Sequence, residues 1–479
     1  GCVMLGALDD TICAIATPPG EGGIGILRIS GLHALDVASQ VVRLRSGKAL
    51  NGIPTHRLTL ADLCADITNA PPTGTHDAGP PRFIDEALVV VMKGPHSFTG
   101  EDVVEVQCHG GPVILDQLCR GLLSAGARLA APGEFTKRAF LNGRLDLAQA
   151  EAVLDTIRAK TARSLTVAQS QRRGELSRHV EEIRSELVVA LAHIEAALDF
   201  AEEDISFVRQ DELMRLLDAT LHKLRRLLQS GRDGRIWREG AVVAILGRPN
   251  VGKSSLMNAL LHSDRAIVTA IPGTTRDLLE EVVSIEGIPV RLVDTAGIRK
   301  TDDPVEVEGI RRSRVAWADA DLALILLDGS QLLSESDRAL LAEPEATRAL
   351  LVINKCDLPR QLSSDDLDRA CPGHGEVLEI SATLATGLNQ LQEAIRRRLM
   401  PGALESHEGV LVTNLRHTVA LEHALQGVDQ ARQSVDAGRA GEFVAMDLRI
   451  AADALGEITG VIATDEILER IFAEFCIGK

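Results

Sequence analysis

The chain has 479 residues, a formal net charge of -17 and eight cysteines. This length predicts about three domains, each large enough for its own core. The acidic balance excludes a general attraction to nucleic acid, so any RNA contact needs local basic patches or a partner. The cysteines show no Cys-x-x-Cys spacing, which disfavours a structural zinc site or a disulfide framework and is typical of a reducing cytosol. No stretch is apolar enough for a membrane span or an export signal, so we expect a cytoplasmic protein with no membrane contact.

The first part of the chain, residues 1–142, predicts an α+β domain. Short β-like runs near 24–29, 87–91 and 103–107 alternate with Gly/Pro-rich turns. The glycine-dense run 17–31 is too rich in glycine for a plain strand, and is either a small-molecule loop or a tight turn. The residues alone leave these two alternatives open.

Residues 143–234 predict long amphipathic helices. Apolar residues recur there at steps of three and four, as in Val180, Ile183 and Leu187. The same periodicity returns at 411–435 and continues to the end, so residues 403–479 form the second part of a discontinuous helical domain.

Residues 235–402 predict an inserted α/β domain with a doubly wound, mostly parallel sheet. Strands are expected near 241–246, 281–285, 289–294, 322–328, 349–354 and 377–381, with a hairpin turn at Glu286 and Gly287. Insertion at a surface loop is tolerated because the ends of such a domain lie close together.

A phosphate-binding loop follows the first of these strands. Residues 247–254 have the pattern Gly-x-x-x-x-Gly-Lys-Ser between a predicted strand and a predicted helix. In such a loop glycines let backbone N–H groups approach phosphate oxygens, Lys253 neutralises β/γ charge and Ser254 reaches Mg²⁺. The chain is therefore predicted to bind a nucleoside triphosphate.

The base is predicted from Asn354, Lys355 and Asp357, which follow another apolar run. An Asp carboxylate at the ligand edge of the sheet accepts from guanine N1–H and N2–H₂, which adenine lacks. Ser381 and Ala382 follow the next strand and support the same site. We therefore expect GTP.

The parts of a GTP switch lie between these motifs. Asp294 to Gly297 suit a γ-phosphate sensor, and Thr275 suits a second Mg²⁺ hydroxyl. Ile298 stands where many GTPases carry the Gln that orients the attacking water, so another residue must do so, and the acidic run 302–308 offers carboxylates. Asn250 either holds a monovalent cation with carbonyls of residues 269–274 or merely shapes the turn.

The last residues carry a second signal. Cys476 follows a helix that is expected to begin near Thr464, and Gly478 and Lys479 come after it. A lone cysteine at a helix end is usually buried, but the Gly and Lys favour exposure, and Lys479 would favour a nucleophilic thiolate.

Together these features resemble the MnmE (TrmE) family of tRNA-modification GTPases along nearly the whole chain. The resemblance rests on the inserted GTPase motifs, the C-terminal Cys476 to Lys479 and three N-terminal motifs, at residues 10–20, 97–102 and 132–144. It implies an N-terminal domain that binds tetrahydrofolate and dimerises, a discontinuous helical domain and an inserted Ras-like P-loop GTPase domain. The implied cofactors are GTP, Mg²⁺, K⁺ and 5,10-methylenetetrahydrofolate, for which 5-formyltetrahydrofolate is an analogue.

The resemblance also implies site residues. The implied catalytic residues are Glu306, which positions the hydrolytic water, Lys253 and Cys476, the last assigned to the modification chemistry. The implied folate contacts are Arg28, Glu105, Arg144 and Lys479; Arg28 and Arg144 suit folate carboxylates. Magnesium would be held by Ser254 and Thr275, and potassium by Asn250, Thr269, Ile271 and Thr274. The GTP-binding set is Asn250, Val251, Gly252, Lys253, Ser254, Ser255, Thr269, Ala270, Ile271, Pro272, Gly273, Thr274, Thr275, Asp294, Thr295, Ala296, Gly297, Asn354, Lys355, Asp357, Ser381 and Ala382.

The implied reaction places an aminomethyl or carboxymethylaminomethyl group on C5 of the tRNA wobble uridine, U34. The implied partners are a second copy of the chain, tRNA and a MnmG-type protein that carries FAD and joins in a heterotetramer. The alternative is a regulatory or ribosome-assembly GTPase switch whose flanking domains carry out no modification chemistry.

Overall fold

The computed structural model of the protein describes residues 10–65, 82–199, 210–263, 282–294, 317, 320–401 and 410–479. Two β-sheets, 14 α-helices and two short 3₁₀ helices lie within these ranges. None of the helices in these ranges is long and apolar enough to cross a membrane.

The N-terminal region is built on a seven-stranded sheet with the order β3-β4-β5-β6-β2-β1-β7. Its strands are β1 (Ile12–Ile15), β2 (Gly22–Ser30), β3 (Val42–Leu44), β4 (Thr59–Ala65), β5 (Arg82–Met92), β6 (Val103–Gly110) and β7 (Arg128–Leu129). Its helices are α1 (Ala34–Val41), α2 (Pro112–Ser124) and α3 (Glu134–Leu141). The alternating apolar residues of the strands form a core with α1 and α2, which confirms the predicted α+β class.

Residues 22–30 of the glycine-dense run form a strand, which confirms the predicted β-like run near 24–29, so neither a binding loop nor a tight turn describes these residues. β2 pairs with β6 and with β1, with an irregularity between Gly22 and Gly25. A Cβ on Gly25 would lie 2.7 Å from a methyl carbon of Leu115. The glycine therefore lets α2 pack closely on the sheet, which is a reason for glycine inside a strand that composition does not reveal.

The helical region combines two distant parts of the chain. Its helices are α4 (Leu147–Arg158), α5 (Ala162–Arg172), α6 (Glu175–Asp199) and α7 (Gln210–Glu239), with α12 (Leu415–Asp436), α13 (Gly441–Thr459) and α14 (Asp465–Ala473) from the C-terminal part. The predicted apolar stripe of α6 is buried, with Val180 and Leu187 fully covered. It packs with α7, α12 and α13 in one core of leucine, valine and alanine side chains. The predicted helices are confirmed.

A second sheet of six strands has the order β13-β12-β11-β8-β10-β9. Its strands are β8 (Ala241–Leu246), β9 (Val282–Ile285), β10 (Ile288–Asp294), β11 (Leu322–Asp328), β12 (Leu350–Asn354) and β13 (Val377–Glu379). Its helices are α8 (Lys253–Ser263), α9 (Glu335–Leu341), α10 (Ser364–Ala370) and α11 (Leu388–Leu399). All pairings are parallel except β9 with β10, whose turn at Glu286 and Gly287 has positive φ angles of 51° and 84°. The predicted α/β class, strands and hairpin are confirmed.

Candidate nucleotide site and C-terminal site

The phosphate loop joins β8 to α8. Two of its glycines have no room for a side chain: a Cβ on Gly247 would lie 2.5 Å from the Leu326 carbonyl oxygen, and one on Gly252 would lie 2.2 Å from Asn354 Nδ2. Asn250 has a φ of 65°, in the left-handed region that Asn tolerates better than most residues. The loop leads directly into the N-terminus of α8, where backbone N–H groups and the helix dipole attract phosphate.

Lys253 is positioned inside this loop. Its ammonium donates to the carbonyl oxygens of Gly247, at 2.7 Å, and Arg248, at 3.0 Å. Although it is a lysine, it is only 8% exposed. The positive charge is thus held at the end of β8, beside the helix N-terminus.

Asn354 connects the loop to the base-recognition segment. Its Nδ2 donates to the Val251 carbonyl oxygen at 2.8 Å, and its Oδ1 accepts from the backbone N–H of Ala382 at 3.0 Å. It is 2% exposed, so both bonds are shielded from water. The structure therefore brings together three motifs that are far apart in sequence.

Lys355 makes a second connection, through a residue that the sequence analysis missed. Its ammonium donates to the Asn250 carbonyl oxygen at 3.0 Å and to Asp328 Oδ2 at 2.7 Å. Burial would raise the pKa of Asp328, but hydrogen bonds from Lys355 and Ser330 hold this pKa below its usual range. The available signal in the sequence was the Asp328-Gly329 pair at the end of the apolar strand β11.

Asp357 is exposed beyond this connection. The N–H of Cys356, beside it, donates to the Ile380 carbonyl oxygen at 3.1 Å, which attaches the base-recognition segment to the residue before Ser381. Asp294 ends β10, opposite Ile245 in the parallel register. All these groups lie at the carboxyl ends of parallel strands, where open α/β sheets bind ligands.

Ser254 and Ser255 lie in the first turn of α8 and are exposed. The other predicted residues of this site lie outside the described residues. They are Thr269, Ala270, Ile271, Pro272, Gly273, Thr274, Thr275, Thr295, Ala296, Gly297 and Glu306. Their roles in binding GTP, Mg²⁺, K⁺ and water stay predictions.

A second group of polar residues forms where the chain's end meets the N-terminal sheet. Arg28 on β2 faces Glu105 on β6 across the strand pair, with Nε and Oε1 2.7 Å apart. Arg28 Nη1 also donates to the Gly478 carbonyl oxygen at 3.0 Å, and its guanidinium carbon lies 5.6 Å from the centre of the Phe135 ring. Three of the four predicted folate contacts therefore lie in one region of the structure. They are Arg28, Glu105 and Lys479, which follows Gly478 in the chain.

The C-terminal segment is anchored by its backbone and by Phe475. Phe475 is buried in a small core with Phe472, and a Cβ on Gly133 would lie 2.7 Å from the Phe472 carbonyl oxygen. A Cβ on Gly478 would lie 2.6 Å from the Ile15 carbonyl oxygen. Cys476 between these anchors is exposed, which confirms the prediction of an accessible thiol.

Arg144, the fourth predicted folate contact, is exposed and lies close to Gly100. Its backbone N–H donates to the Ala139 carbonyl oxygen at 2.8 Å, but its guanidinium makes no hydrogen bond or ion pair within the part of the chain that the structure describes. Its guanidinium is therefore available to a carboxylate from outside the chain.

The first site defines a P-loop GTPase: a phosphate loop after β8, an Asn-Lys-x-Asp segment after β12 and a Ser-Ala segment beside it at one edge of a parallel sheet. The chain matches the GTP-binding protein TrmE N-terminus over residues 11–144 and the MnmE helical domain over residues 147–476. It belongs to the MnmE family.

Full-length relatives have the same extent. The chain is 44% identical over 472 residues to the tRNA modification GTPase MnmE of Alkaliphilus metalliredigens, which covers 98% of this chain and 100% of that protein. It is 46% identical over 475 residues to the protein of the same name from Heliobacterium modesticaldum, with 98% and 99% covered. Among solved structures, the G domain of the T. maritima FeoB iron transporter is 28% identical, with a TM-score of 0.25, over 33% of this chain and 98% of that one.

Proposed function

We propose that this GTPase is a subunit of a complex that modifies C5 of the tRNA wobble uridine, U34, with an aminomethyl or carboxymethylaminomethyl group. The name shared by its relatives, tRNA modification GTPase, supports the tRNA substrate. The observation that carries the proposal is the 3.0 Å hydrogen bond from Arg28, the partner of Glu105, to the carbonyl oxygen of Gly478, two residues after the exposed Cys476. A switch that only recruits a partner has no need of such an arrangement.

In the nucleotide site, the chain's own groups bind and orient GTP. Lys253 neutralises phosphate charge, and Asp357 accepts from guanine N1–H and N2–H₂. Ser254 and Thr275 would hold Mg²⁺; Ser254 is exposed at the start of α8, which fits that role. Asn250, Thr269, Ile271 and Thr274 would hold K⁺, and the amide oxygen and backbone carbonyls of this set suit a hard cation. The bound cations would offset the negative charge that develops as the γ-phosphoryl group passes from GDP to water, and Glu306 would orient the attacking water.

In the C-terminal site, the chain binds a tetrahydrofolate and presents a thiol. The guanidinium groups of Arg28 and Arg144 suit the carboxylates of folate, and Glu105 suits N–H donors of its pterin ring. Lys479 adds a positive charge. Bound 5,10-methylenetetrahydrofolate supplies the one-carbon unit, and Cys476 acts in the modification chemistry.

The proposed assembly is a cytoplasmic homodimer that joins a MnmG-type FAD protein in a heterotetramer and acts on tRNA. We propose that residues 1–142 bind folate and dimerise, that 143–234 and 403–479 form the helical domain, and that 235–402 form the GTPase domain. The partner makes many of the contacts with RNA, which agrees with this chain's net charge of -17.

Mass spectrometry of wobble uridines tests this function. Cells that lack the protein should lose the C5 modification and recover it with the wild-type gene. Cys476→Ser should keep GTP turnover and fail to restore the modification, while Cys64→Ser, a change at a half-buried thiol, should restore it. Full modification with Cys476→Ser would make that thiol structural. No folate binding to the full chain in calorimetry would favour the regulatory alternative.

The cation and the water-positioning residue have their own test. Replacing potassium by sodium should slow hydrolysis at least ~10-fold, by analogy with the loss of an auxiliary cation. Glu306→Ala should bind GTP normally and hydrolyse it slowly. Equal rates in the two salts, or unchanged turnover in the variant, would reject the respective role.

A further inference from the structure

Arg248, the second residue of the phosphate loop, has its side chain fixed outside the loop. Its Nη2 donates to Gln331 Oε1 at 2.7 Å, and its Nε lies 3.3 Å from Asp337 Oδ2 in an ion pair. Gln331 lies between β11 and α9, and Asp337 lies in the first turn of α9. The side chain therefore connects the phosphate loop to an element that is separate from the predicted GTP-binding motifs.

The ion pair is largely enclosed. Asp337 is 3% exposed, and the Arg248 side chain is 23% exposed. Among the described residues, Arg248 Nε and Asp337 Oδ1 are buried without a hydrogen bond, so each charge depends on the other for its compensation. Removing one partner of such a pair leaves a buried charge uncompensated, which is costly. The two side chains therefore hold each other in place.

Asp337 is itself fixed by the N-terminal cap of α9. The Ser334 N–H donates to Asp337 Oδ2 at 3.0 Å, and the Ser334 hydroxyl lies 2.7 Å from the same oxygen. The Asp337 N–H donates to Ser334 Oγ at 3.2 Å, which completes a capping box. The carboxylate that pairs with Arg248 thus has a fixed position on a helix.

The backbone of Arg248 acts on the phosphate-loop lysine. The Arg248 carbonyl oxygen accepts from the Lys253 ammonium at 3.0 Å. The same residue therefore carries the side-chain anchor of the loop and one of the two carbonyl oxygens that position Lys253. If the side chain lost its anchor, this carbonyl would be less fixed, and so would the ammonium that it accepts from.

We propose that Arg248 is a positioning residue for GTP binding. With Gln331 and Asp337 it holds the phosphate loop so that Lys253 meets the β- and γ-phosphates of GTP. Arg248 acts through the loop, so its loss should weaken binding of the phosphates and leave recognition of the base by Asp357 unchanged. The proposal concerns GTP binding alone, and it does not depend on the uridine modification proposed above.

Steady-state GTP hydrolysis by the full-length protein, with Mg²⁺ and K⁺ present, tests this role. Arg248→Ala should raise KM for GTP about 10-fold and change kcat less than about 2-fold, because the loop binds the phosphates in the ground state as well as in the transition state. Arg248→Lys keeps the charge and loses the planar fork, so its KM should be intermediate.

The partner residue is tested in the same assay. In Asp337→Asn the amide oxygen can still accept from Ser334, but the charge that pairs with Arg248 is lost, so KM should rise as in Arg248→Ala. The double variant should match Arg248→Ala within about 2-fold, since residues that act as a pair are not additive.

Ser334→Ala is the matched control for a purely structural role. It removes the cap hydroxyl of α9 and keeps the backbone N–H that Asp337 accepts from. It should lower the temperature of unfolding and leave KM for GTP unchanged. An equal rise of KM in Ser334→Ala would assign the effect to the stability of α9 and overturn the proposal, as would an unchanged KM in Arg248→Ala.

Inosine triphosphate, which lacks the 2-amino group of guanine, shows where Arg248 acts. The ratio of the KM values for GTP and inosine triphosphate should be the same in Arg248→Ala and in the wild type, whereas Asp357→Asn should change it. A changed ratio in Arg248→Ala would place the effect at the base and overturn the proposal. If Arg248→Ala does not fold, as judged by circular dichroism, Arg248→Lys and Asp337→Asn provide the same two measurements, and wild-type KM values in both would overturn it.

Discussion

The nucleotide site and the C-terminal site are built in different ways. In the nucleotide site, each polar group follows a strand of one parallel sheet, and short bonds such as Asn354 to Val251, at 2.8 Å, join neighbouring loops. In the C-terminal site, Arg28 reaches a carbonyl oxygen 450 positions further along the chain. The first site is formed by loops at the edge of a single sheet. The second site forms only while the C-terminal segment is bound to the N-terminal sheet.

This difference has consequences for stability and exchange. Asn354 is buried, and opening its two hydrogen bonds would leave unsatisfied polar groups. Arg28 is only half-buried, and it keeps Glu105 as a partner if Gly478 leaves. We therefore expect the C-terminal site to open more readily than the nucleotide site, and the predictions below test this contrast.

The largest effect is expected at the base. Asp357→Asn removes a charged acceptor for guanine N1–H and N2–H₂, and the loss of two charge-assisted hydrogen bonds should weaken GTP binding by about 1,000-fold. The Asn amide can donate to the 2-oxo group of xanthine, so xanthosine triphosphate should bind better to the variant than to the wild type. Calorimetry with both nucleotides checks this. Asp365→Asn, at an exposed neighbouring carboxylate, is the control and should leave affinity unchanged; unaltered GTP affinity in Asp357→Asn would assign the base contact elsewhere.

The helical region should show an acid-dependent stability that neither site shares. Burial would raise the pKa of Glu151, but His417 and Arg416 outweigh burial and lower this pKa to about 2 from 4.5. Since the pKa is depressed in the folded state, the stabilisation is complete above about pH 4.5 and is lost as the pH falls toward 2. The shift corresponds to about 3 kcal/mol. Glu151→Gln should lower the free energy of unfolding by roughly this amount at pH 7 and flatten its dependence between pH 5 and 3.

Guanidinium unfolding followed by helical circular dichroism measures this effect. Glu466→Gln, at an exposed carboxylate on α14, should keep the wild-type pH dependence. If Glu151→Gln retained it as well, another carboxylate would be the source.

The third prediction tests the hydrogen bond that holds the C-terminal segment against the N-terminal sheet. Arg28→Ala removes the charged donor to Gly478 and one predicted folate contact, so folate affinity should fall about 30-fold, equivalent to about 2 kcal/mol. Cys476 should be alkylated faster, because the C-terminal segment has lost its contact with Arg28, while GTP turnover should stay the same. Arg45→Ala, which removes an exposed guanidinium on the same sheet region, is the control. A loss of GTP turnover in Arg28→Ala would show that the two sites are not separable.

The same contrast explains which features could be predicted from sequence. Residues of the phosphate loop and Asn354 lie beside apolar strands, and parallel strands deliver their carboxyl ends to one edge, so local patterns were sufficient. The hairpin at Gly287 and the long helix α6 follow from turn chemistry and periodicity in the same way. The pairing of Arg28 with Gly478 follows from no spacing rule. The residues after Cys476 were enough to predict an exposed thiol, but the folate contacts around it were predicted only through family resemblance.

Asp328 marks the limit of that local reasoning and gives the smallest predicted effect. Its carboxylate holds the Lys355 ammonium at 2.7 Å and accepts from the Ser330 N–H at 3.0 Å. In Asp328→Asn the amide oxygen can still accept from Ser330, but the charge that holds Lys355 against the Asn250 carbonyl is lost. GTP affinity should therefore fall about 5-fold, equivalent to about 1 kcal/mol, with the hydrolysis rate of bound GTP unchanged. Glu335→Gln, at an exposed carboxylate on the following helix, should change neither quantity. A loss above about 100-fold would mean that Asp328 contacts the nucleoside itself instead of positioning Lys355. The base would then be recognised by residues that follow two strands, β11 and β12, instead of β12 alone.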